Sequence, residues 1–140
     1  MFTDEYAHNQ LQHIVSGTSI AEPKSTLHAT RNYLCASFET NTTIKKDFDH
    51  QQAIKEEQKQ ALVSYAAAQN LLIDIITDER YLTQGGEASV YFSKDNTHVI
   101  KINDAVYYNT WLDFLNSLCL HNLFFPATSY ELLGFTMSNE

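Results

Sequence analysis

The sequence predicts an α+β fold, with a helical segment over residues 1–78 and a unit over residues 79–140 built as an antiparallel sheet with one main helix. Three observations predict it. Apolar residues recur at helical spacing through the first part, short β-prone runs separated by turn residues begin at Arg80, and one helix-patterned segment precedes the last of those runs.

In the first part, Leu11, Ile14 and Val15 fall on one helical face and Leu27, Leu34 and Phe38 on a second, with Pro23 suited to that second helix's first turn. The polar stretch Glu39 to Lys46 reads as a connecting loop. A third helix is expected from about Phe48, with Ile54, Ala61, Leu62, Tyr65 and Ala66 inward and the stretch Lys55 to Lys59 outward. Leu72, Ile73 and Ile76 continue the helical phase, but Asn70 can cap the helix, and a stop near Asn70 is preferred.

In the second part, Tyr81 to Thr83, Ala88 to Phe92 and His98 to Ile102 read as three strands, with Lys94 to Thr97 as a hairpin turn. A helix is expected over about 104–120, capped by Asn103 or Asp104, with Val106, Leu112, Leu115, Leu118 and Cys119 among its apolar positions. Pro126 closes that region, and Tyr130 to Met137 reads as another strand.

Composition limits the function classes. Of 140 residues 44% are hydrophobic and 19% charged, which is the balance of a globular chain. The net charge of −8, with nine scattered Lys and Arg, speaks against nucleic acid as a partner, because phosphate contacts need clustered cations. From Asp78 onward Arg80, Lys94 and Lys101 face eight acidic residues, so a phosphate ligand there must rely on local groups. The opening Met1-Phe-Thr-Asp-Glu-Tyr6 is no signal peptide, and no apolar run can cross a bilayer, so the expectation is a cytoplasmic chain without membrane contact.

Cys35 and Cys119 lie far apart in helix-patterned segments, where buried thiols are expected. The six histidines form no H-E-x-x-H and the cysteines no C-x-x-C, so no metal site is expected, and no G-x-S-x-G offers a serine nucleophile. Tyr107, Tyr108, Trp111, Phe114, Phe124 and Phe125 read as core or interface residues rather than base-stacking platforms.

The stretch carrying chemistry is Thr83-Gln-Gly-Gly-Glu-Ala-Ser-Val-Tyr91, followed by Lys101 within Val99-Ile-Lys101. A glycine-rich bend lets backbone amides approach a phosphate, and a lysine on the next strand adds a point charge to the same oxygens.

This pattern resembles the glycine-rich loop and strand-three lysine of protein kinases, G-x-G-x-x-G-x-V followed by V-A-I-K. Gly85 matches the second glycine, Val90 the valine and Lys101 the lysine, while Ala88 replaces the third glycine and Thr83 the first. Over Gly85 to Phe135 the wording Gly-Gly-Glu-Ala-Ser-Val-Tyr91, Val99-Ile-Lys-Ile-Asn-Asp-Ala-Val-Tyr-Tyr108, Leu120-His-Asn-Leu-Phe-Phe-Pro126 and Tyr130-Glu-Leu-Leu-Gly-Phe135 is similar to the polyvalent protein-kinase domain of phage and mobile-element proteins.

The resemblance implies a kinase small lobe, with Gly85, Gly86, Ala88, Val90, Lys101 and Asp113 as a vestigial nucleotide site. Kinases pair that lysine with a glutamate on the following helix, but here the acid in mid-helix is Asp113, either Lys101's partner or a solvated face. Glu87, at the loop tip, is a lesser candidate for pairing with Lys101, and His121-Asn122 is expected in the turn after the helix, satisfying backbone groups. The catalytic-loop and metal-binding aspartates do not occur before Glu140, so no catalytic residue is assigned and the chain is expected not to be an enzyme by itself.

The expectation is therefore a non-catalytic kinase-like fragment acting through a protein partner or as a homodimer, with ATP bound weakly or not at all. The alternatives are half of a kinase completed by a partner chain, and an unrelated small α+β interaction module.

Overall fold

A computed structural model describes residues 4–21, 23–38, 48–73, 80–84, 88–93 and 97–137. It contains helices α1 (Asp4–Ser16), α2 (Thr26–Ser37), α3 (Phe48–Ala68) and α4 (Trp111–Phe124), and strands β1 (Arg80–Gln84), β2 (Ala88–Phe92) and β3 (Val99–Asn103). The strands form one antiparallel sheet in the order β1-β2-β3, so the α+β reading holds.

The core lies among the helices. Ile14 of α1, Leu27, Leu34 and Cys35 of α2, Leu62 of α3, and Leu112, Leu115 and Cys119 of α4 are buried together, with Leu132 and Phe135 packed against them. Of the residues at helix spacing in α1, Ile14 is buried whereas Val15 is 74% exposed. Arg31 is fully buried at the centre. Its guanidinium donates to the carbonyls of Thr18 and of His13 (3.3 Å) and to Asn116 Oδ1 (2.7 Å), tying the end of α1 to α2 and α4. A cation suits that place, since the last carbonyls of a helix carry partial negative charge. Burial lowers the Arg31 pKa, and the neighbouring Cys35 and Cys119 partly raise it.

Several boundaries differ from expectation for local reasons. Helix α2 starts at Thr26 because Ser25 Oγ accepts the His28 amide (3.1 Å), which leaves Pro23 ahead of the cap. The end of α3 matches the expected stop. Asn70 takes the left-handed conformation (φ 59°), and the amides of Asn70 and Leu71 return to Ala67 and Ala66 in a Schellman arrangement.

Helix α4 begins at Trp111, seven residues later than expected, because Asn103 and Asp104 build a turn instead of a cap. Their Oδ1 atoms accept the amides of Ala105 (2.7 Å) and Val106 (3.0 Å), and Ala105 sits at φ 58°, outside helical space. The actual cap is Thr110, whose hydroxyl accepts the Asp113 amide (3.0 Å). The stretch Lys55 to Lys59 is not wholly outward either. Lys55 is half-buried and donates to the carbonyls of Ala105 (2.7 Å) and Tyr108 (2.8 Å), and buried Gln58 accepts the Leu112 amide (3.1 Å).

The expected strand over Tyr130 to Met137 is absent. In its place one parallel bridge joins Phe135 to Leu72, through Phe135 N–H to Leu71 O and Ile73 N–H to Phe135 O, both 2.8 Å. Gly134 permits this approach, since a Cβ there would lie 2.5 Å from Leu71 O.

Candidate functional site

Strands β2 and β3 set the site's geometry. Their register pairs Ala88 with Asn103, Val90 with Lys101 and Phe92 with Val99. Directly opposed residues in an antiparallel pair share a face, so Ala88, Val90 and Lys101 stand together on one face of the sheet. The hairpin is closed by Ser93 N–H to His98 O (3.0 Å) and His98 N–H to Ser93 Oγ (3.1 Å). Gly85, Gly86 and Glu87, together with Lys94 to Asn96 of the expected turn, lie outside the described residues.

Lys101 is exposed, and its ammonium donates to the Tyr130 hydroxyl (3.2 Å) while standing 5.3 Å from that ring's centroid. Among the described residues no ion pair joins it to a carboxylate. Asp113 occupies the first turn of α4 rather than its middle, is exposed, and favours the helix start as an acid near the dipole's positive end. Three of the six expected site residues thus share a face, Asp113 lies in the first turn of α4, and two are outside the described region.

Tyr130 is itself held in place. Asn122 brackets its backbone, accepting from its amide (2.7 Å) and donating to its carbonyl (2.8 Å). His121 Nε2 donates to Thr128 O (2.9 Å), and its ring lies 4.7 Å from that of Tyr130. Both residues satisfy backbone groups as expected, but from the last turn of α4 rather than from the turn beyond it.

Sequence reasoning missed Tyr130, Lys55 and Gln58. Tyr130 lies 29 positions from Lys101, too far for any periodicity to relate them. A signal for the true start of α4 was present in Thr110-Trp-Leu-Asp113, which has the S/T-x-x-D/E spacing of a capping box.

A family model described as Serine/Threonine/Tyrosine Kinase found in polyvalent proteins matches residues 55–140, more than half of the chain. The chain belongs to this family. Searches of curated proteins and of solved structures each return no match. The match to the polyvalent-protein kinases opens at Lys55, the α3 residue that holds the β3–α4 connection, so the kinase-related region takes in α3 from Lys55 onward as well as the sheet and α4. Among the described residues no group of three or more His, Cys, Asp or Glu can hold a metal, and no helix is long and apolar enough to cross a membrane.

A groove of about 790 Å³ is lined by α1, the start of α2, the end of α4 and the segment after Pro126, Tyr130 among them. Two buried residues on its walls, His28 and Gln10, contact each other through their Nε2 atoms (3.1 Å), while His28 Nδ1 and Gln10 Oε1 have no hydrogen-bond partner among the described residues. Such an unpaired buried group costs about 1–3 kcal/mol. Burial, with the Arg31 charge adding to it, holds the His28 pKa below the ordinary imidazole range.

Proposed function

We propose that this kinase-related chain works through protein contacts as a non-catalytic small lobe, with the helices of residues 1–78 packed beside it and with at most weak nucleotide binding. The observation that carries this reading is the state of Lys101. Its ammonium rests on a tyrosine rather than on a carboxylate that would orient it toward phosphates, and the surrounding unit is strongly acidic. A charge-assisted bond contributes about 1.5–3 kcal/mol. One such bond falls short of the roughly 4 kcal/mol that millimolar binding needs, and a second is offset by the repulsion of the acidic unit.

Exposed apolar side chains support the protein-contact part. Phe124 and Phe125 at the end of α4, and Leu133 and Met137 beyond it, are each at least half exposed. Their preferred occupant in this reading is a protein surface, either a second copy or a chain carrying a large lobe.

Calorimetry with ATP and magnesium tests the proposal. Millimolar or weaker binding is expected, with Lys101→Ala making little difference. Micromolar binding abolished by Lys101→Ala would overturn the non-catalytic reading and favour half of a kinase completed in trans. Light scattering across micromolar concentrations tests self-association, and a monomer throughout leaves a different protein as the partner.

A further inference from the structure

We propose, resting on the reading of this chain as at most a weak nucleotide binder, that Tyr130 is a built-in competitor for Lys101, a phenol fixed beside the ammonium that phosphate oxygens must displace. A lysine is a flexible stem carrying three donors, so a fixed acceptor within reach can hold it. Tyr130 attracts it in two ways. The hydroxyl accepts from the ammonium (3.2 Å), and the ring, whose face is electron-rich, has its centroid 5.3 Å away.

The strap that carries Tyr130 is held without help from Lys101. After α4 the chain turns through Pro126–Thr128 and brings Tyr130 back beside the last turn of the helix. There Asn122 takes both the amide and the carbonyl of Tyr130 (2.7 and 2.8 Å), and the His121 ring, itself tied to Thr128 O (2.9 Å), lies 4.7 Å from the phenol ring. The acceptor is thus already in place, and pairing costs mainly the lysine's own freedom. Both partners reach solvent, Lys101 being exposed and Tyr130 37% exposed, so an anion can contest the ammonium where it stands. A phosphate oxygen makes the stronger bond, because both of its partners are charged. Against that gain stand the loss of the phenol contact and the acidic surroundings.

The test titrates the ¹⁵N-labelled full chain with ATP and magnesium at constant ionic strength, following the Val90 and Ile102 amides. It compares the parent with Lys101→Ala, Tyr130→Ala, Tyr130→Phe and the Lys101→Ala/Tyr130→Ala double variant. Tyr130→Ala should tighten binding about five-fold or more, since it removes both the hydrogen bond and the ring contact. Tyr130→Phe keeps the ring and the strap and should tighten it by a smaller factor, about two-fold. Lys101→Ala should matter little in the parent but should erase the gain in the Tyr130→Ala background, a dependence that a merely structural tyrosine would not create. Binding by Tyr130→Ala and Tyr130→Phe no tighter than the parent's, or a gain that survives the loss of Lys101, would overturn the competitor role. The parent's own affinity tests the weak-nucleotide reading, and the ratio of variant to parent tests Tyr130, so either can fail alone.

Discussion

Substituting Gly134 by alanine probes the contact that fixes the segment bearing Tyr130. The added Cβ would lie 2.5 Å from Leu71 O, where ordinary contact begins at 3.4 Å. The obstructing atom is backbone, so one of the two peptides must move by most of an ångström. Leu71 O also accepts from Phe135 N–H, and Phe135 O accepts from Ile73 N–H, so the movement breaks or stretches both bonds. At about 0.5–1.5 kcal/mol each, Gly134→Ala should cost about 1–3 kcal/mol. With a urea slope of about 1–3 kcal/mol/M, the unfolding midpoint should fall by about 1 M. Helix ellipticity gives the midpoint, and amide exchange at Ile73 and Phe135 should quicken in parallel. A midpoint within about 0.2 M of the parent would refute the reasoning.

The remaining predictions concern the helical core. Arg31→Met should destabilise by about 3–5 kcal/mol in urea titration, because Asn116 and the Thr18 and His13 carbonyls lose their buried donor; a loss below about 1 kcal/mol would contradict that role. The unfolded chain protonates His28 more readily than the folded one, because burial lowers its folded pKa. Its contribution to stability is therefore complete above about pH 6.5 and is lost as pH falls through the lower folded value, a slope that His28→Gln should flatten in pH-dependent melting. The Cys119 thiol, pushed up to about 11 by burial, should resist iodoacetamide at pH 8 in the native chain and react once urea unfolds it, as mass spectrometry would register.

The parts of the fold set by neighbouring residues were readable in the sequence, and the parts set by distant ones were not. The β2–β3 hairpin and the stop at Asn70 depend on local pattern and turn chemistry, and both were anticipated. The start of α4 was misplaced because Asn103 and Asp104 suit a cap and a turn equally well. What decides between them is Lys55, which takes up the Ala105 and Tyr108 carbonyls from 50 and 53 positions away. The strand expected at Tyr130 to Met137 failed similarly. An alternating pattern says that a segment can pair, but the neighbour available to it was a short stretch after α3 offering two bonds. In the site, register made Val90 and Lys101 partners across two strands, whereas no rule of spacing could assign Lys101 to Tyr130.

No side chain described in β2 or β3 is fully buried. The sheet therefore draws little of its cohesion from the interior and hangs on its own ladder, the β3–α4 connection and the Lys101 contact. Hydrogen exchange should accordingly divide the chain into two tiers, with the helices protected to the level of global unfolding and the strands opening well below it. A binding partner that clamps the strands would raise the lower tier toward the upper without touching the helices.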